Sequence, residues 1–278
     1  MAKTKFQQKL IKGKFKPSPT AEREFYRALK KVAQNSGHIV EAHIDGVKLI
    51  NEGAMQDALN KYAELITPWA ERQANKMVEQ VQRSNKRAYQ NKAKALGVEL
   101  KKEILTQGKQ QSFTGAMVRA LQAEHVKLIK SIPVEAGRRA QDLALKAAVE
   151  GRRATPDQAT IDEIKKQLGL STEVATSRAE LIAVTETAKA NAMINQARAQ
   201  EVGSTHYRWH NSHDGAVRES HKKLRGKPIG DYIFSWDDPP TLDDGMTGNP
   251  GEFPRCRCFA EPIFDEVTNK KTLYKSKK

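Results

Sequence analysis

The chain has 278 residues, with 48 Lys or Arg against 33 Asp or Glu and a formal net charge of +15. An isoelectric point near 9.7 and a mean hydropathy of −0.69 point to a polyanionic surrounding, most directly nucleic acid, and to exposed, elongated helices more than one globular core. No stretch reaches the ~18–20 uncharged apolar residues of a membrane span, and no signal-peptide core follows the N-terminus, so no membrane span and a cytosolic site of synthesis are expected.

Residues 1–18 read as a basic disordered arm. Lys3, Lys5, Lys9, Lys12, Lys14 and Lys16 follow one another without an acid between them, and Pro17 and Pro19 close the run. Lys270, Lys271, Lys275, Lys277 and Lys278 make a matching basic tail over 265–278. Both sets are candidates for contacts to the phosphates of double-stranded DNA; the alternative is a pair of solvated tails.

A helical body is expected over 19–168. Residues 22–32 have the spacing of an amphipathic helix that stops near Ser36 and Gly37. From 46 to 96 apolar residues recur at three- and four-residue steps, as in Met55, Leu59, Tyr62, Leu65 and Ile66, and predict a helical run interrupted at Pro68. Beyond Ser84 the run turns polar, which predicts a face that is solvated or bound to something outside the chain. Gly97, Gly108 and Gly115 separate shorter helices, and Pro133 starts a new element. Thr155-Pro156-Asp157 caps a helix that ends at Leu168 and Gly169.

Ser177-Arg178-Ala179-Glu180 fits a capping box for an alanine-rich helix over 181–201, ended by Gly203. Small residues such as Ala183, Ala188 and Ala192 permit close approach by a neighbour. The period then changes. Strands are predicted at 205–209 and 232–234, a turn and short helix at 215–224, a Gly/Pro loop at 239–253 and a final strand at 256–263. The predicted class is mostly α with a C-terminal α+β module: an elongated helical N-terminal body, then a small mixed helix/strand domain over 169–264.

That module holds His206, His210, His213, His221, Trp209, Trp236 and both cysteines, Cys256 and Cys258. One residue apart, the cysteines are poor disulfide partners, which leaves free thiols or metal ligands. His221, Cys256 and Cys258 can supply three ligands to a structural Zn²⁺, with His210, His213 or Asp214 as a fourth. On a strand the two cysteines share one face, and Arg255 and Arg257 point the other way, toward phosphate or solvent. In the alternative, the cysteines pack as small apolar groups and His221 bonds Asp214. Glu186 is either a general base or a buried partner of Arg178 or Arg218, and the ion pair is the expected role. With a metal, Glu186, Asp214 and His221 would form the catalytic set of a phosphodiester hydrolase. Trp209 and Trp236 are expected in the core of the module rather than stacked on bases.

Taken in order, the pattern is Arg178-x-x-Leu181-Ile182-Ala183-x-Thr185-Glu186, Gly203, Trp209, Asp214-x-x-Val217-Arg218-x-x-His221-x-x-Leu224-x-Gly226 and Pro254-Arg255-Cys256-Arg257-Cys258. It resembles the phage Mu protein F-like head morphogenesis family over about 170–264. The resemblance implies a minor head protein of a tailed bacteriophage, encoded with the portal and entering the procapsid in few copies. It implies association with the portal protein and the inner capsid or scaffold, contact with DNA during assembly or delivery, and a place in the capsid interior after assembly in the host cytoplasm. It identifies no particular enzymatic reaction, and the expected class is a non-enzyme. Many relatives have His-Pro before the Cys-x-Cys run where this chain has Phe253-Pro254, and some have Cys-x-x-Cys where it has Arg218-x-x-His221, which thins the metal site those relatives suggest. A metal-dependent nuclease or other hydrolase acting on nucleic acid is the second reading.

Overall fold

The structure is a computed structural model that describes residues 15–45, 48–49, 51–96, 99–100, 113–153, 158–201, 203–212, 215, 217–224, 232–263 and 274–275. It is mostly helical, with five long helices and a small three-stranded antiparallel sheet near the C-terminus, as the composition and periodicity predict.

Helix α1 (Pro19–Glu41) opens with Ser18 Oγ accepting the Ala21 N–H at 3.3 Å and with Pro19 at the first helical position, where no N–H is needed. It runs past the predicted stop at Ser36 and Gly37. Ser36 is fully buried and turns its hydroxyl back onto the Val32 carbonyl at 2.7 Å, which satisfies it inside the helix. Strands β1 (Ile44–Asp45) and β2 (Lys48–Leu49) then pair antiparallel, and β2 lies where the periodicity predicts helix. Helix α2 (Glu52–Leu65) starts only after Asn51, whose Oδ1 accepts the Ala54 N–H at 2.9 Å. Pro68 acts as expected: α2 ends and α3 (Thr67–Leu96) begins beside it.

After β3 (Glu99–Leu100) come two helices longer than predicted. Helix α4 (Phe113–Arg153) passes through Gly115 and Pro133. An internal proline costs about 3 kcal/mol, but Ile129, Ile132, Ala136 and Ala140 are all buried around it and hold the helix on both sides. Helix α5 (Gln158–Glu201) passes through Gly169 and the Ser177 capping box. A helical glycine costs only about 1 kcal/mol, and a buried face runs on from Ala179, Ile182 and Ala183. The Thr155-Pro156-Asp157 cap lies outside the described residues. Gly203 ends α5 as predicted, with φ +84° and the Ser204 N–H on the Ala199 carbonyl at 3.0 Å.

Contacts divide the chain into two compact units. The unit of Arg23–Asn75 and Gln122–Ala183 has a core of Val40, Met55, Leu59 and Ala140. A Cβ at Gly137 would stand 2.8 Å from Leu59 Cδ1, so α4 and α2 meet there through the glycine. In the same unit Arg178 Nε lies 2.7 Å from Glu135 Oε2.

The unit of Met1–Glu22, Lys76–Leu121 and Val184–Lys278 holds the sheet. Strand β4 (His206–His210) lies between β5 (Ile233–Ser235) and β6 (Phe259–Ile263), antiparallel to both, with Tyr207 opposite Phe234 and Pro262. Strand β7 (Tyr274–Lys275) pairs with β3. Trp209 and Trp236 are buried with Tyr207, Leu242, Phe253, Cys256 and Cys258, so both tryptophans serve the core as predicted.

The polar stretch after Ser84 has neither of its predicted fates at Asn85, Tyr89 and Lys92, each at most 2% exposed. Asn85 donates to Asn195 Oδ1 at 3.1 Å and accepts from Arg198, and Asn195 Nδ2 reaches the Ala260 carbonyl at 2.9 Å. These bonds make an internal polar seam between α3, α5 and β6. Phe15 is also buried, edge-on to Tyr89 at 5.1 Å, and its carbonyl accepts from Asn191 at 2.9 Å.

Candidate functional site

Four segments of the sheet-bearing unit meet at the chemistry the sequence singles out. Helix α5 supplies Thr185, β4 supplies Trp209, and helix α6 (Glu219–Lys223) supplies His221 with Arg218 as its N-cap residue. The turn before β6 supplies Cys256, Arg257 and Cys258.

The predicted strand over 256–263 begins only at Phe259, so strand alternation is not what brings the cysteines together. A turn does it. Phe253 O accepts the Cys256 N–H at 3.0 Å, and Arg255 adopts a left-handed φ of +56°. The turn lies on α5 through the Arg255 N–H, which donates to Thr185 Oγ1 at 3.0 Å, and it is held from the other side by Arg218 Nη2, which donates to the Pro254 carbonyl at 3.1 Å.

His221, Cys256 and Cys258 are thereby buried together, at 3%, 5% and 2% exposure. His221 Nδ1 stands 3.4 Å from Cys258 Sγ and 3.6 Å from Cys256 Sγ, and the donor atoms of the three residues lie within 4.8 Å of one another. The His221 ring is edge-on to Trp209 at 5.7 Å and tilted against Phe253 at 5.2 Å. Its Nε2 is buried without a hydrogen-bond partner.

The sulfurs share their protons unequally. A hydrogen bond from the Cys258 thiol, with His221 beside it, draws Cys256 down to about 5 against the opposing effect of burial. The bond to Cys256, together with burial, pushes Cys258 up. The Ser212 backbone N–H and the Trp209 side chain act on Cys258 in the opposite sense, toward thiolate. A pocket of about 250 Å³ opens beside the three residues, with Arg218 and Arg255 in its wall. Nη1 of Arg218 is buried and has no hydrogen-bond partner.

The remaining candidates are placed separately. Arg257 is not free to meet phosphate, because its guanidinium holds both carboxylate oxygens of Glu22, at 2.8 and 3.1 Å. Glu186 is buried on α5. His210 Nε2 lies 2.9 Å from Glu261 Oε2, and the ring stacks on Phe259 at 4.9 Å. His213, Asp214 and Gly226 lie outside the described residues. So do the candidate DNA-binding lysines except Lys16, which is exposed, and Lys275 in β7.

Sequence reasoning missed the buried pair of Lys92 and Glu261, which the half-buried His210 joins. A signal was there: Val78, Val81, Asn85, Tyr89 and Lys92 continue one helical stripe at three- and four-residue steps, and only the residue type changes.

Residues 138–261 match the family described as phage Mu protein F like protein. An uncharacterised protein of Haemophilus influenzae is 37% identical over 148 residues, which are 53% of this chain and 30% of that protein. The chain thus spans less than a third of that relative's length. No solved structure matches. The family matched over residues 138–261 is the one that the chain's ordered Arg, Trp, His and Cys positions resemble.

Proposed function

We propose that the chain is a minor head protein of a tailed bacteriophage, a structural component that associates with the portal inside the procapsid and touches DNA during head assembly or delivery. The carrying observation is the family match over residues 138–261, whose motif positions Thr185, Arg218, His221, Cys256 and Cys258 close on one another around a single turn. Interlocked backbone and side-chain contacts of this kind suit a rigid docking module. Arg255 gives its N–H to Thr185, and Arg257 gives its guanidinium to Glu22, so parts of the motif bind the fold itself.

Charge supports the DNA contact. With 15 more basic than acidic residues, the chain is attracted to packaged DNA, and its lysine-rich ends carry eleven of those basic residues. No helix among the described residues is long and apolar enough to cross a membrane. The capsid interior, reached from the host cytoplasm, is the location this reading gives. The composition of purified heads tests it: the chain should sediment with portal-containing particles.

A further inference from the structure

We infer that His221 Nδ1, Cys256 Sγ and Cys258 Sγ form a three-donor site for one Zn²⁺, with its fourth position open to solvent through the pocket walled by Arg218 and Arg255. This stands on the local geometry and holds whether or not the chain enters phage heads.

A tetrahedral zinc with bonds of about 2.0–2.1 Å to nitrogen and 2.3 Å to sulfur sets its nitrogen and sulfur ligands about 3.6 Å apart. The two nitrogen-to-sulfur separations here are 3.4 and 3.6 Å. The donor set is a soft pair of thiolates and one imidazole, which favours zinc over the oxygen-seeking cations Mg²⁺ and Ca²⁺. All three residues are buried, and both cysteines are free thiols.

The site is also mechanically apt. His221 comes from α6, which has five residues, and the cysteines from an irregular turn. Neither segment has a long ladder of its own, and one ion would clasp both. The three protein donors leave a fourth place, and all three line one pocket together with Arg218, whose buried Nη1 lacks a partner. Water or a small anion completes the coordination there.

The test is metal analysis of the full chain purified without chelator from zinc-supplemented medium, together with titration of the metal-free chain with Co²⁺. The expected result is about one zinc per chain, bound with the tetrahedral geometry of such sites, and a thiolate-to-cobalt charge-transfer band that zinc abolishes. Cys256→Ser/Cys258→Ser should lose the metal and the band. His221→Cys, which restores a donor, should keep the metal, whereas His221→Ala should lose it. Because the cobalt titration uses the unaltered sequence, misfolding of a variant leaves it decisive. Zinc well below one per chain with no cobalt band would overturn the site. So would a full zinc content that survives the double serine substitution.

Discussion

Lys92 Nζ stands 3.4 Å from Glu261 Oε1, with 2% and 3% of the two side chains exposed. The same ammonium donates to the Pro262 carbonyl at 2.8 Å and sits 5.5 Å from the centre of the Phe15 ring, while the second oxygen of Glu261 meets His210 at 2.9 Å. One buried charge thus connects α3 to β6 and, through Glu261, to β4. Desolvation lowers the pKa of Lys92, and Glu261 opposes that shift.

Removing one member of a buried pair leaves the other charge uncompensated. Lys92→Met should destabilise the chain by about 3–5 kcal/mol, read from denaturant midpoints at constant m. A loss under about 1 kcal/mol would mean that Glu261 is hydrated and the pair is not part of the interior.

The same lysine sets a pH dependence. Its folded pKa is below its unfolded value, so between the two the unfolded chain binds more protons and stability rises with pH, up to about 10.4. Unfolding free energy measured from neutral pH upward should climb more steeply in the native sequence than in Lys92→Met. Equal slopes would contradict the lowered pKa.

Gly251 carries φ +98°, and a Cβ there would lie 3.1 Å from the Ala188 carbonyl oxygen, 3.2 Å from Ala192 Cβ and 3.3 Å from the Cys258 carbonyl oxygen. Backbone strain and crowding act together, because none of these atoms is the end of a flexible side chain. Gly251→Ala should cost about 1–3 kcal/mol and lower the melting temperature. An unchanged melting temperature would show that the turn does not seat on α5.

Periodicity made the helical class legible, and changes of period located β4, α6 and β5 to within a residue or two. It failed where side chains outweigh local rules. Ser36, Pro133 and Gly169 all look like helix ends, and in each case the helix continues. The grouping of His221, Cys256 and Cys258 was legible from residue chemistry, although the strand proposed as its cause is a turn. Lys92 and Asn85 were hidden because a polar residue reads as exposed until its partner, far away in sequence, is in place. Phe15 was hidden for the opposite reason, as an apolar residue flanked by Lys14 and Lys16 in a lysine-rich stretch.

The lysine-rich ends give a salt law. If Lys3, Lys5, Lys9, Lys12, Lys14 and Lys16 each neutralise a phosphate, the logarithm of the binding constant for double-stranded DNA should fall with the logarithm of salt with a slope of about −5. A mobility-shift series should show this slope with intact DNA, with or without divalent cations. Removal of residues 1–16 should flatten it. No shift at low salt would assign the charge to a protein partner, and metal-dependent cleavage lost in Glu186→Gln would favour the hydrolase.

The most direct test is quantitative mass spectrometry of phage heads purified on a density gradient from a lysate of the strain that carries this gene. The account predicts that the chain is present in portal-containing heads in few copies and remains with the portal when the shell is dissociated. A chain found free in the lysate and absent from heads at every stage of assembly would contradict it.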